Sequence, residues 1–252
     1  MTRFAEWCTQ AEIPVTVHKL QVLHANPKKQ AEAVAIVAEA VPDHYVMPDR
    51  LAQLLTRLGR SAVAAYVNEK LPTALPIKSG DLGEILCTTF VYESTPFRLG
   101  IKRLRWKDHR NMAMRGDDVL AFSLDGGTGL NVLKAEAKSR AKMPASVIAE
   151  ARKALSAYGE LPSPHAMSFI ADRLDGASDK PLRDALDDAQ LKRSLKPSQV
   201  THMLFTFTGN DPSTLLTNNL NAYKGGAAQH YVGLRVENHQ DFIKAVFAGA
   251  GG

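Results

Sequence analysis

The chain has 252 residues, 45% of them hydrophobic, enough to bury a sizeable core as one large domain or two small ones. Its 31 lysines and arginines against 26 acidic residues give a net charge of +5, which permits a polyanionic partner without requiring one. Cys8 and Cys87 lie in no CxxC or zinc-ligand spacing, and no stretch approaches a signal core or the roughly 18 apolar residues of a membrane span, so a cytoplasmic protein without disulfides is expected.

Residues 14–23 alternate as a strand does, and PKKQAEAVAIVAEAV reads as a helix with Pro27 in its first turn. A second helix is expected from about Pro48 to Lys70, with Leu51, Leu54, Leu55 and Leu58 as its apolar stripe. LPTALPIKSG breaks the pattern. The expected division falls there: an N-terminal α/β region, residues 1–75, packed on a unit of residues 76–252. SGDLGEILCTTFVYE opens on an N-cap serine, Ser79, and spaces its apolar residues as a helix. Strands are expected from Phe97 (FRLGIKRLRW), Asp118 (DVLAFSL) and Leu130 (LNVLKAEAKS), the last two joined by the turn DGGTG. That turn lacks the Lys-Ser/Thr that would complete a phosphate-binding loop. A helix follows Pro144 to about Tyr158, and charged helical stretches form an insert at about 163–196. THMLFTFTG reads as a buried strand and HYVGLRVEN as another, before a short terminal helix and a small GAGG tail. The order is α-β-β-β-α, insert, β: an α/β fold with a mixed central sheet flanked by helices.

The chemistry concentrates in RGDDVLAFSLDGGTGLNVLKAEAKSR, residues 115–140. On a strand, Val132, Lys134, Glu136 and Lys138 share one face and Leu133, Ala135 and Ala137 the other. The hairpin brings Asp118 toward Glu136. Converging carboxylates are costly unless a cation sits between them, and Mg²⁺, with Mn²⁺ as a substitute, takes hard oxygen ligands. Lys138, on the same face, would orient a water or stabilise charge developing on a phosphate. Two alternatives stay open here. KAEAKSRAK also has helix composition, and on a helix Glu136 and Lys138 would point about 200° apart. Asp117 competes with Asp118 as the ligand. Arg98, Lys102, Arg103, Arg105, Lys107, Arg110 and Arg115 lead into this segment against Asp108 alone; such a run is either a solvated face or a phosphate-holding one. Asp108-His109-Arg110-Asn111 reads as a solvated loop, and no row of stacking aromatics stands out.

Gly116-Asp117-Asp118, Glu136-Ala137-Lys138 and the upstream helix carrying Glu84 resemble the PD-(D/E)xK nuclease superfamily, whose α-β-β-β-α-β core matches the order read above over roughly residues 79–208. The literal proline before the acidic residue is absent. No Gln followed by Tyr at helical spacing follows the ExK strand, so the end-dependent exonuclease subgroup is a poorer match. With SGDLGEIL, RGDDVLAF and KAEAKSR at this length, the chain resembles more specifically the HamA family, nuclease subunits of Hachiman anti-phage defence systems. The resemblance implies a Mg²⁺-dependent DNA nuclease of low sequence specificity, restrained by a superfamily 2 helicase subunit (HamB-like). It implies metal ligation by Asp118, Glu136 and the Ala137 carbonyl, with Glu84 completing the shell, and a catalytic Lys138. The phosphate contacts expected beside that site are Lys102, Arg105, Arg115 and Arg140. Glu84, one turn into its helix, would otherwise simply favour the helix dipole. The rival reading is a nuclease-like nucleic-acid-binding or regulatory subunit without turnover.

Overall fold

A computed structural model describes residues 1–15, 17–125, 129–192 and 194–251. In chain order, α1 (Phe4–Trp7), β1 (Cys8–Glu12), β2 (Lys19–Ala25), α2 (Gln30–Ala40), α3 (Pro48–Leu58), α4 (Arg60–Lys70) and α5 (Leu75–Ser94) lead to the hairpin region. There β3 (Arg98–Leu99), β4 (Val119–Asp125) and β5 (Gly129–Arg140) are followed by α6 (Ala145–Leu155), α7 (Pro164–Ala171) and α8 (Lys180–Leu191). The chain finishes with β6 (Val200–Thr208), α9 (Ser213–Asn221), β7 (Ala228–Arg235) and α10 (His239–Ala250).

The strands form one seven-stranded sheet in the order β1-β2-β7-β6-β5-β4-β3. β3, β4 and β5 are antiparallel, β5, β6, β7 and β2 run parallel, and β1 closes the far edge antiparallel to β2. This is the mixed sheet between helices that the element order predicts. The parallel strands are covered on both faces, which is why β6 and β7 are buried almost end to end. On one face α2, α5 and α10 bury Val37, Ile85, Phe90 and Phe242 against Phe205, Phe207 and Leu234. On the other, α7 and α8 cover Leu120, Phe122 and Val132, while α6 and α9 cover Leu204 and Tyr231. No helix among the described residues is long and apolar enough to cross a membrane.

Several expectations are corrected. Helix 48–70 is broken at Gly59, whose φ of 80° lies in the region that favours glycine, and of the expected stripe Leu54 is buried while Leu55 and Leu58 are exposed. α5 starts at Leu75 with Pro76 in its first turn, so Ser79 sits inside the helix and caps nothing. Only Arg98–Leu99 of FRLGIKRLRW pairs with β4; Arg103–Trp106 is a 3-10 turn. The strand expected over residues 14–23 runs instead from Lys19 to Ala25, and α1, β1 and α9 were not expected. Gly249 and Ala250 of the supposed tail end α10. Gly126 to Thr128 of DGGTG lie outside the described residues. The composition break near residue 75 is not a break in the sheet, because β2 pairs with β7 and α2 packs on α10.

Candidate active site

Two close approaches build the site. β4 lies antiparallel to β5 with Val119 opposite Ala135, so Asp118, one residue earlier, reaches the backbone beside Glu136; the Ala137 N–H donates to Asp118 Oδ2 at 2.9 Å. α5 crosses the sheet at Gly83, where a Cβ would stand 3.2 Å from that of Ser139. Ser79 and Ser139 hydroxyls meet there at 2.8 Å. The motif SGDLGEIL therefore lays α5 against β5 and carries Glu84, 7% exposed, to the level of Asp118. As β-alternation requires, Leu133 and Ala135 face the α5 side while Lys134, Glu136 and Lys138 share the opposite face with Val132.

Arg103, from the 3-10 turn, joins the two acidic side chains. Its Nε donates to Glu84 Oε1 at 2.7 Å, and its Nη2 to Glu84 Oε2 at 2.8 Å and Asp118 Oδ1 at 2.6 Å. Its Nη1 donates to the Arg115 carbonyl at 3.2 Å. Burial still pushes the Glu84 carboxyl up to about 7, against the pull of Arg103. Lys138 Nζ stands 2.8 Å from Glu136 Oε1. Burial, then repulsion from Asp118, pushes Glu136 up to about 7 in spite of Lys138. Burial lowers Lys138, but the hydrogen bond and charge of Glu136 outweigh it and leave its pKa raised, so Lys138 is an ammonium at neutral pH and a donor, not a base.

The segment between Arg103 and Asp118 is stapled along α5. Lys107 Nζ lies 2.6 Å from Asp81 Oδ2, which also accepts from Tyr45 Oη at 2.6 Å. Asn111 Oδ1 accepts from the N–H groups of Thr73 and Ala74 at 2.8 and 3.1 Å, at the entry to α5. Part of the segment expected to be a solvated loop thus holds the helix that carries Glu84. These roles left little trace in the sequence. A basic run flags the region, but nothing in it separates Arg103 or Lys107 from their neighbours.

Asp118, Glu136, Lys138 and Glu84 come together, with Ala137 contributing its N–H to Asp118. Asp117 turns away: its Oδ2 accepts from Ser163 N at 2.7 Å, ahead of α7, and its Oδ1 faces Lys134 Nζ at 3.5 Å. Lys134, 1% exposed, donates to the carbonyls of Leu155 at 3.1 Å and Leu161 at 2.9 Å, which explains why a lysine is tolerated there. Of the expected phosphate contacts, Arg115 is exposed beside the site and Arg140 is exposed at the end of β5, its Nη1 on the Ser139 carbonyl at 2.8 Å. Lys102 and Arg105 are held elsewhere, both paired with Asp43.

Among the described residues no three His, Cys, Asp or Glu side chains are grouped to cage a metal. Asp118 and Glu136 nevertheless fit a hard divalent cation: both offer oxygens, and their mutual repulsion is what a cation relieves. Mg²⁺ commonly takes only one or two carboxylates and keeps its waters. Glu84, both of whose oxygens accept from Arg103, is linked to Asp118 through that arginine.

No curated protein sequence matches the chain. A family model does: HamA, over residues 2–250. The match takes in every strand of the sheet and each residue of the site just described. The chain belongs to the HamA family.

Proposed function

We propose that this protein is a metal-dependent DNA nuclease that hydrolyses phosphodiesters with little sequence preference. The observation that carries the reading is Asp118, locked by the Ala137 N–H beside Glu136 and the Glu136–Lys138 pair at the end of one hairpin. Asp118 and Glu136 would hold Mg²⁺ or Mn²⁺, which when bound supplies Lewis acidity to the phosphate and acidifies a water. Lys138 donates from its ammonium to the attacking water or to the phosphate oxygens as their charge grows. Arg103 fixes Asp118 in register and shields it from Glu84. Arg115 and Arg140, exposed beside the site, are placed to meet phosphates without reading bases.

Membership of the HamA family brings the Hachiman anti-phage context with it. Restraint by a superfamily 2 helicase subunit until foreign or damaged DNA is sensed is part of the proposal, since an unrestrained nuclease of low specificity would attack its host. The α7–α8 insert, with its exposed charges, is the face we assign to that partner.

Purified protein is incubated with supercoiled and linear DNA in Mg²⁺ or EDTA, beside a Glu136→Ala, Lys138→Ala double variant, alone and with the helicase and ATP. Loss of the circle only with wild type and Mg²⁺ is expected. An intact circle in every arm, with DNA binding that survives EDTA and the double substitution, would establish the silent binding subunit instead.

A further inference from the structure

Beside Asp118 a cleft of about 320 Å³ opens between the 3-10 turn and α7. Trp106 forms part of one wall and Phe169 of the other, their rings edge to face with centroids 6.2 Å apart at 84°. The Arg173 guanidinium stacks 3.6 Å from the Phe169 centroid and 5.5 Å from that of Trp106. It spends one donor on the Phe169 carbonyl at 2.9 Å, and its buried Nε has no partner. Neither Arg173 nor Arg115, which also lines the cleft, has an ion-pair partner among the described residues. The acidic groups lining the cleft are mostly committed: Asp117 to Ser163 and Lys134, Asp118 to Arg103 and Ala137. Asp108 alone is exposed there. The cleft therefore combines partly exposed aromatic side chains, unspent guanidinium donors and direct access to a proposed catalytic carboxylate.

We infer that this cleft receives one unpaired nucleotide flanking the scissile phosphate, its base on Trp106 and Phe169 and its phosphates on Arg115 and Arg173. Aromatic faces beside cations are what single-stranded nucleic acid needs, since every base has a face to stack and every linkage a charge to neutralise. A cavity of this size takes a base with its sugar and does not take a base pair with two backbones. The protein would then engage DNA where strands are frayed, gapped or unwound. This inference rests on the nuclease reading for its substrate, and it adds a preference which that reading alone does not contain.

Trp106 reports on the cleft without mutation, because the other tryptophan, Trp7, is 1% exposed and out of reach. A single-stranded oligodeoxynucleotide and a blunt duplex of equal length are titrated in EDTA and in Ca²⁺, following tryptophan emission and the anisotropy of a label on the DNA. Single strand is expected to quench emission at saturation and to bind more tightly than duplex. Trp106→Leu, which keeps apolar packing but loses the stacking face, should weaken single-strand binding by about tenfold, the worth of one stacked base. Arg173→Gln should weaken it and flatten its salt dependence. Each variant is first checked for a wild-type melting curve, and the quench requires no variant. Single strand that binds without quenching, or affinity unchanged in both folded variants, overturns the cleft while leaving any Mg²⁺-dependent cleavage, and so the nuclease reading, intact. Quenching and loss of affinity without cleavage under any condition would sink the nuclease and keep the cleft.

Discussion

Glu136 is held where ionising is costly, buried next to Asp118, and Lys138 and the more distant charge of Arg103 offset that only in part. Its carboxyl titrates near 7 in the folded protein against an ordinary value of 4.5, so the folded state binds the extra proton and loses stability as pH rises from 4.5 through 7. Glu136→Gln removes that cost. In EDTA the variant should be more stable than wild type by roughly 3 kcal/mol at pH 8, and by nearly nothing at pH 4.5. Urea midpoints at the two pH values test this, with the histidines common to both proteins cancelling; an equal gain at both would show that ionisation is not the cause. Mg²⁺ should raise the wild-type melting temperature, by mass action worth about 2.7 kcal/mol at a hundred times Kd, and should leave that of Glu136→Gln nearly unchanged. An equal shift in both proteins would place the ion elsewhere. At this scale Asp118, Glu136 and Lys138 were legible, because period-two alternation and local charge decide where they point. Arg103 was not, nor was the diversion of Lys102 and Arg105 to Asp43, because each partner is far away in sequence and a basic run looks the same whichever member meets an acid.

Two glycines in α5 separate what a helix wants from what its packing demands. Gly80 is exposed, with nothing within 4 Å of where a Cβ would stand, whereas Gly83 faces Ser139 across a 3.2 Å approach. Gly80→Ala should therefore stabilise the protein by about 0.5–1 kcal/mol through helix propensity alone. Gly83→Val adds bulk where β5 leaves no room; it should cost roughly 1–3 kcal/mol and lower cleavage by moving Glu84 and its arginine off Asp118. Thermal melts with the DNA assay check both, and a Gly83→Val protein of wild-type stability would mean that α5 can shift freely on the sheet. β4, β5, α6, α7, α8 and β6 could be read from the sequence because each is a periodic, continuously apolar or helix-forming stretch between turn residues. The reading failed where one residue overrides a pattern, as Gly59 does between α3 and α4, or where alternation is present without a partner strand, as beyond Leu99.

Across the whole molecule the N-terminal region completes the sheet. Lys19 to His24 of β2 pair in parallel with His230 to Arg235 of β7, joining the two ends of the chain, and no local pattern in either strand announces the other. Tyr231, Val232 and Leu234 of β7 are fully buried and Leu20, Val22 and Leu23 of β2 nearly so, while α2 lies against α10. Removing residues 1–75 would uncover a long apolar edge on β7 and one side of α10, a template for aggregation that folded proteins avoid. A 76–252 fragment, although it holds every residue of the proposed site, should be insoluble or lack a cooperative melt, and adding the 1–75 segment in trans should rescue it in part. Because parallel pairing across such a separation forms late, the same edge should make refolding of the full chain slow and sensitive to protein concentration. If instead the fragment melts cooperatively and cleaves DNA, the first 75 residues are an appended unit, and the seven-stranded sheet is an assembly of two independently stable parts.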